Sequence, residues 1–246
     1  MMTDARPERW TGLYRAGGVS ALLIAGLLVA EVGVYAAFPR PATALEHFAQ
    51  FDANPLAGLL TLDLLGLVAY LLFVPTTLAL YVVLHARGEA TMATATALFM
   101  LGVADFLATN TLFPVLELSG RYADATTDAD RAAVLAAGEA MFVLFNENAF
   151  LLSYVIVSAS WALIGAVMLR SPDFRRATGS VGILAGGAGI VAVVLEHAGA
   201  DLVPVAIPVY FAAILFLFAW VILVGRRLLR LEGVARQPAS TRDPTP

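Results

Sequence analysis

Cysteine and lysine are both absent from this 246-residue chain, and charge of either sign is scarce. Without cysteine there is no disulfide, no thiolate metal site and no cysteine nucleophile. Without lysine, all 15 basic residues are arginine, and Schiff-base chemistry is excluded. Charged residues make up 14% of the chain, where a soluble domain carries roughly a quarter. Apolar residues take their place, at 60%. That composition belongs in a bilayer. No stretch outside the apolar runs is long enough to fold alone, so any activity must sit within or between spans. Nothing in the sequence points to a cofactor or a nucleic-acid partner, and it leaves the oligomeric state open.

About 20 apolar residues are needed to cross a bilayer core. Six runs qualify, at 15–38, 55–84, 92–116, 146–169, 177–197 and 204–224. Arginine placement orients them. With both termini inside, twelve arginines are cytoplasmic and only Arg40, Arg121 and Arg131 lie outside, a strong positive-inside bias. A cleaved signal peptide does not fit the first run, which is long and carries Glu31. These features predict an all-α polytopic protein of the cell (inner) membrane. A cytoplasmic segment (1–14) precedes a six-span bundle (15–229), and a disordered cytoplasmic tail (230–246) follows it.

The stretch from 132 to 169 has no arginine and is too long for one crossing. As one helix its 38 residues would reach about 57 Å, against a core of about 30 Å. Reading it as two spans would carry Arg170, Arg175 and Arg176 outside, against the arginine rule. Thr127 followed by Asp130 has capping-box spacing, with Asp in place of the usual Glu. An extra outer-surface helix is therefore expected from Asp128, with a bend near Asn146 before the fourth span.

Most of the ionisable groups in the spans fall in the outer leaflet. Glu31 is late in an outgoing span, Asp63 early in an ingoing one, and Asp105 just past the middle of the third with Asn110 above it. Glu147, between Asn146 and Asn148, stands at the mouth of the fourth, and Glu196 and His197 end the fifth. Helical spacing puts Asp63, Gly66, Tyr70 and Thr77 on one face, and Glu147, Tyr154 and Ser158 on another. Four spans thus carry polar stripes headed by a carboxylate, which predicts an outward-opening polar pocket. Each central acid costs about 2.5–3.5 kcal/mol on the insertion scale. No cation offsets that cost unless Arg40, Arg121 or Arg131 folds inward. Otherwise protonation, trapped water, a bound cation or a polar ligand head must do so.

Other residues read structurally. His47, His85 and His197 are expected at the interfaces, and no spacing marks a metal site. Gly179, Gly182, Gly186 and Gly189 form a small-residue seam in the fifth span, with Gly26, Ala30 and Gly33 a weaker one in the first. Pro75 should kink the second span, with Thr76 or Thr77 positioned to affect the carbonyl it frees.

Two segments, "RAGGVSALLIAGL" and "GAVMLRSPDFRRATGSVGILAGGAG", resemble a bacterial family of six-span membrane proteins known only as a domain of unknown function. The shared features are Arg15 to Gly18 opening the first span, the Arg170–Ser171 turn, and Gly179, Gly182 and Gly186. The resemblance implies the six-span fold and carries no activity with it.

Three functions compete. An acid-catalysed membrane enzyme, terpene-cyclase-like or lipid-modifying, would use Asp63, Asp105 and Glu31 as its acids. A non-catalytic protein that binds or senses a lipid or amphiphile would use the same pocket. In either, Glu147, Asn110, Asn146, Asn148, Tyr70 and Tyr154 would contact the ligand. A proton-coupled transporter is the third reading and fits least, because the acids crowd one leaflet instead of meeting at the midplane.

Overall fold

The computed structural model describes residues 10–38, 40–144 and 150–235, and the regular structure among them is entirely helical. Its elements are α1 (Thr11–Ala37), α2 (Ala44–Ala53), α3 (Pro55–Thr61), α4 (Leu64–Leu84), α5 (Glu89–Thr109), α6 (Leu112–Asp124), α7 (Asp128–Leu144), α8 (Phe150–Met168), α9 (Arg176–Ala198) and α10 (Val203–Ala235). Six helical segments are long and apolar enough to cross a membrane, built on α1, α4, α5, α8, α9 and α10. The protein is therefore a multi-pass membrane protein. These six pack in chain order as a closed ring, with α10 returning to α1.

Glycines set the closest approaches in that ring. On α1, a β-carbon at Gly17 would come within 2.8 Å of the Pro75 carbonyl on α4. Gly18 and Gly225 face each other across the α1–α10 seam; a β-carbon on either would meet the other's carbonyl at about 3 Å (3.1 and 2.9 Å). Closure of the ring thus depends on the two glycines of the "RAGG" opening. The weaker seam expected at Gly26 and Gly33 is not there, since both face open space. The physical reason lies in α1 itself, whose buried residues end at Ala25. The seam expected in α9 is present. Gly179, Gly186 and Gly189 lie against α8, and Gly182 lies against the Trp220 indole of α10.

The interior of the ring is filled by aromatics. Phe73 packs on Phe99 and Trp161 with ring centroids 6.0 and 5.3 Å apart, and Trp220 is fully buried. Pro75 stands inside α4, and Thr76 Oγ1 donates to both the Leu72 carbonyl of its own helix and the Gly17 carbonyl of α1 (3.1 Å each). Thr76, and not Thr77, therefore ties the proline turn to its neighbour.

The second and third spans are shorter than the hydropathy suggests, because each is interrupted. Asp63 takes a left-handed conformation (φ 88°) between α3 and α4, a conformation that Asp tolerates better than most residues. Asn110 is extended between α5 and α6, and its Oδ1 accepts the Leu112 amide at 3.0 Å. The remaining α4 and α5 have 21 residues each. At 1.5 Å per residue that is about 31 Å, enough to cross the core unaided. Beyond the breaks, α3 and α6 bury part of their apolar surface in protein.

With α2 and α7, those pieces build a helical cap over one end of the ring, held by Phe48, Phe51, Leu62, Leu112 and Val115. The segment before Asn54 contains α2, started by Thr43, whose hydroxyl accepts the Glu46 amide, while Glu46 accepts the Ala42 amide. α7 begins at Asp128, as expected, with Thr127 accepting the Asp130 amide at 3.1 Å and donating to its carboxylate at 2.6 Å. His47 departs from expectation. It is buried within the cap, 3% exposed and stacked on Phe142, because α2 turns that face inward. At the other end, α10 stays helical past residue 229 to Ala235; the expected tail beyond it lies outside the described residues.

Candidate functional site

The protein holds two separate apolar clusters. One fills the ring from Tyr14 to Ala25 on α1, Phe73 to Leu84 on α4, Met92 to Val103 on α5, Val157 to Met168 on α8, and Leu217 to Leu228 on α10. The other fills the cap. Between them runs a belt of polar side chains to which each of the six spans contributes.

Chain order around the ring gives the belt its sequence. On α1, Glu31 accepts a hydrogen bond from the Tyr35 hydroxyl. At the α3–α4 break, the Asp63 carboxylate folds over Gly66 so closely that any β-carbon there would overlap it. One turn deeper on α4, Tyr70 stacks flat on Phe106 of α5, with centroids 4.0 Å apart and planes 9° apart. Its hydroxyl lies 3.4 Å from Ser153 Oγ of α8, which donates to the Gly102 carbonyl at 2.8 Å. Asp63, Asp105 and Tyr154 all lie within electrostatic reach of Tyr70. Tyr154 neighbours Tyr210 of α10 at 5.9 Å, and Tyr210 shares a hydrogen bond with Glu196 of α9. The Tyr70–Phe106 pair separates the belt from the aromatic interior.

Four of the belt's groups are short of partners or of cover. Asp105 Oδ2, Asn110 Nδ2 and Thr111 Oγ1 are buried with no hydrogen-bond partner among the described residues. Leaving such atoms unsatisfied costs about 1–3 kcal/mol each. On α1, the part from Gly26 onward has no buried residue, which leaves Glu31 on a loosely covered wall.

Of the residues singled out by sequence, the structure gathers Glu31, Asp63, Tyr70, Asp105, Asn110 and Tyr154 at this level. Asp63 stands at the start of α4, and Asp105 lies roughly 24 Å along α5 from its start. Asn146, Glu147 and Asn148 lie outside the described residues. Of the three arginines expected outside, Arg40 folds back: its guanidinium sits 6.0 Å over the Tyr35 ring and acts on Glu31 and Asp63. Arg121 instead pairs with Glu117 on the exposed cap, at 3.0 Å.

The sequence reading missed Tyr210 and did not assign Ser153 a role. Tyr210 follows Pro208 near the start of a strongly apolar helix, where an interfacial tyrosine is ordinary; only the ring's closure brings it to Tyr154. No group of three or more metal-ligating side chains occurs among the described residues.

A family model described as "Domain of unknown function (DUF4386)" matches residues 16–225. The chain belongs to this family. Its matched region runs from the residue after Arg15 through Gly225, so it takes in both glycines of the α1–α10 seam, the whole cap and every group of the polar belt. No curated protein and no solved structure matches the chain.

Proposed function

We propose that this DUF4386 protein resides in the cell membrane with both termini in the cytoplasm. Its polar belt then faces outward and holds the polar head of a lipid-like or amphiphilic small molecule. Support for the orientation comes from arginine. Arg15, Arg87, Arg170, Arg175, Arg176, Arg226, Arg227 and Arg230 lie toward the end of the ring opposite the cap, whereas Arg40, Arg121 and Arg131 lie on the cap side.

The observation that carries the ligand reading is the set of buried, partnerless atoms at Asp105, Asn110 and Thr111, placed between two well-packed apolar clusters. A donor-and-acceptor head would satisfy them. The thinly covered outer part of α1 gives an apolar tail a lateral route from the bilayer. Acid catalysis is the second reading, favoured by the free oxygen of Asp105 and by Asp63, both within electrostatic reach of Tyr70: either carboxyl, when protonated, would give its proton to a neutral acceptor such as an alkene, leaving a carboxylate to face the cation so formed. A carrier mechanism fits less well, because in this orientation the acids crowd one leaflet instead of meeting at the midplane.

The cysteine-free chain makes the test direct. Ser153→Cys and Ala104→Cys place single thiols at the level of the belt. A membrane-impermeant maleimide applied from the cap side should label them slowly, and a long-chain amphiphile should protect them further. Fast labelling that added amphiphile leaves unchanged would remove the ligand reading.

A further inference from the structure

At the end of the ring opposite the cap, a cleft of about 510 Å³ lies between the α8–α9 turn and the last turns of α10. Arg175, Arg226, Arg227 and Arg230 line it, and Asp173 is the one acid among its lining residues. That acid is already engaged: Arg227 donates from Nε to the Asp173 carbonyl, and its Nη2 lies 3.9 Å from the carboxylate. Arg227 is thereby fixed in place. The other three guanidinium groups stand exposed around the cleft.

Two further features suit an anion. The first turn of α9 has no side-chain cap at Arg175, so its amides and the positive end of a 23-residue helix dipole face the same region as Thr178, which lines the cleft. Along α10, Leu223, Arg226, Arg227 and Arg230 fall at helical spacings of three, four and seven, on one face. Leu223, which also lines the cleft, is 38% exposed and lies one turn before Arg226 and Arg227. The cleft therefore offers cationic forks at its mouth and an apolar surface at its base.

We infer that this cleft is a binding site for a phosphate group, and that its occupant is the headgroup of an anionic phospholipid. Guanidinium forks match phosphate oxygens in pairs. The Leu223 surface and the position at a span end suit a phosphate that carries acyl chains better than a free one. This site is independent of the polar belt at the other end of the ring and does not rest on the orientation proposed above.

The test uses the full chain in phosphatidylcholine nanodiscs doped with phosphatidylglycerol, with native mass spectrometry reading how much of each lipid remains bound. Phosphatidylglycerol should be retained preferentially, and raising salt should release it. Arg226→Gln with Arg230→Gln should weaken retention about thirty-fold, taking about fivefold per arginine near a membrane surface. Arg121→Gln on the cap should leave it unchanged. Equal retention of the two lipids by the wild-type chain, insensitive to salt, would overturn the site without recourse to any variant. Unchanged retention in the folded double variant would do the same. Displacement of the lipid by millimolar inorganic phosphate would overturn the lipid assignment and hand the cleft to a soluble phosphate.

Discussion

Gly186→Leu should destabilise the protein far more than Leu184→Ala, although the second removes a large apolar side chain two positions away. A β-carbon at Gly186 would collide with the Ser158 carbonyl of α8 and come within 2.7 Å of the Ala162 amide and 3.0 Å of its β-carbon. Two of those three atoms are helix backbone, which cannot yield without moving α8 as a body. Overpacking of a close-packed interior costs about 1–3 kcal/mol even where side chains can give way. Leucine at this position should therefore sit at or above the top of that range. Leu184 is 47% exposed on the outer surface of α9, where lipid tails are as apolar as leucine. Its truncation should cost a few tenths of a kcal/mol. Thermal unfolding in mild detergent, followed by tryptophan fluorescence, is a suitable assay, because buried Trp220 lies against Gly182 on the same helix. Equal shifts for the two variants would refute the glycine seam as the device that holds α8 and α9 together.

Two more outcomes are expected. Burial pushes the His47 imidazole down to about 4, helped by Arg40 and opposed by Glu46, while Glu139 of α7 stands nearby, accepting the Ala44 amide. Between about pH 6.5 and 4 the unfolded chain takes up a proton that the folded cap refuses, so cap stability falls as pH falls through that window and is retained above it. The loss should approach about 2 kcal/mol, and His47→Leu should flatten this part of the pH–melting profile; a profile with the same slope in the variant would show that carboxylates alone set it. Reporter fusions at Gly120 and Gln237 should report opposite sides of the membrane, and the same side for both would contradict the proposed orientation.

The six spans were legible because apolar length is a property of composition, which a linear chain displays openly. The α9 seam was legible for a similar reason: glycines at three- and four-residue spacing have few uses in a span other than close packing. The cap was read only in part. Thr127 and Asp130 announced α7, but Thr43 and Glu46 carried the same signal for α2 and were passed over. The breaks at Asp63 and Asn110 were hidden because hydropathy scores burial in a protein core and burial in lipid alike. His47 read as interfacial because α2 was unseen, and Tyr210 joins the belt through the packing of α8, α9 and α10, which no local pattern encodes.

Mass spectrometry of small molecules that copurify with the protein tests the central claim most directly. The wild-type chain, extracted gently from its native membrane, should carry an amphiphile enriched over the bulk lipid extract. Asp105→Asn combined with Asn110→Asp should lose it while retaining the fold, because these changes alter the partnerless atoms of the belt, keep the oxygen that accepts the Leu112 amide and leave the apolar clusters intact. An identical lipid complement in the wild type, the variant and the bulk extract would contradict the account.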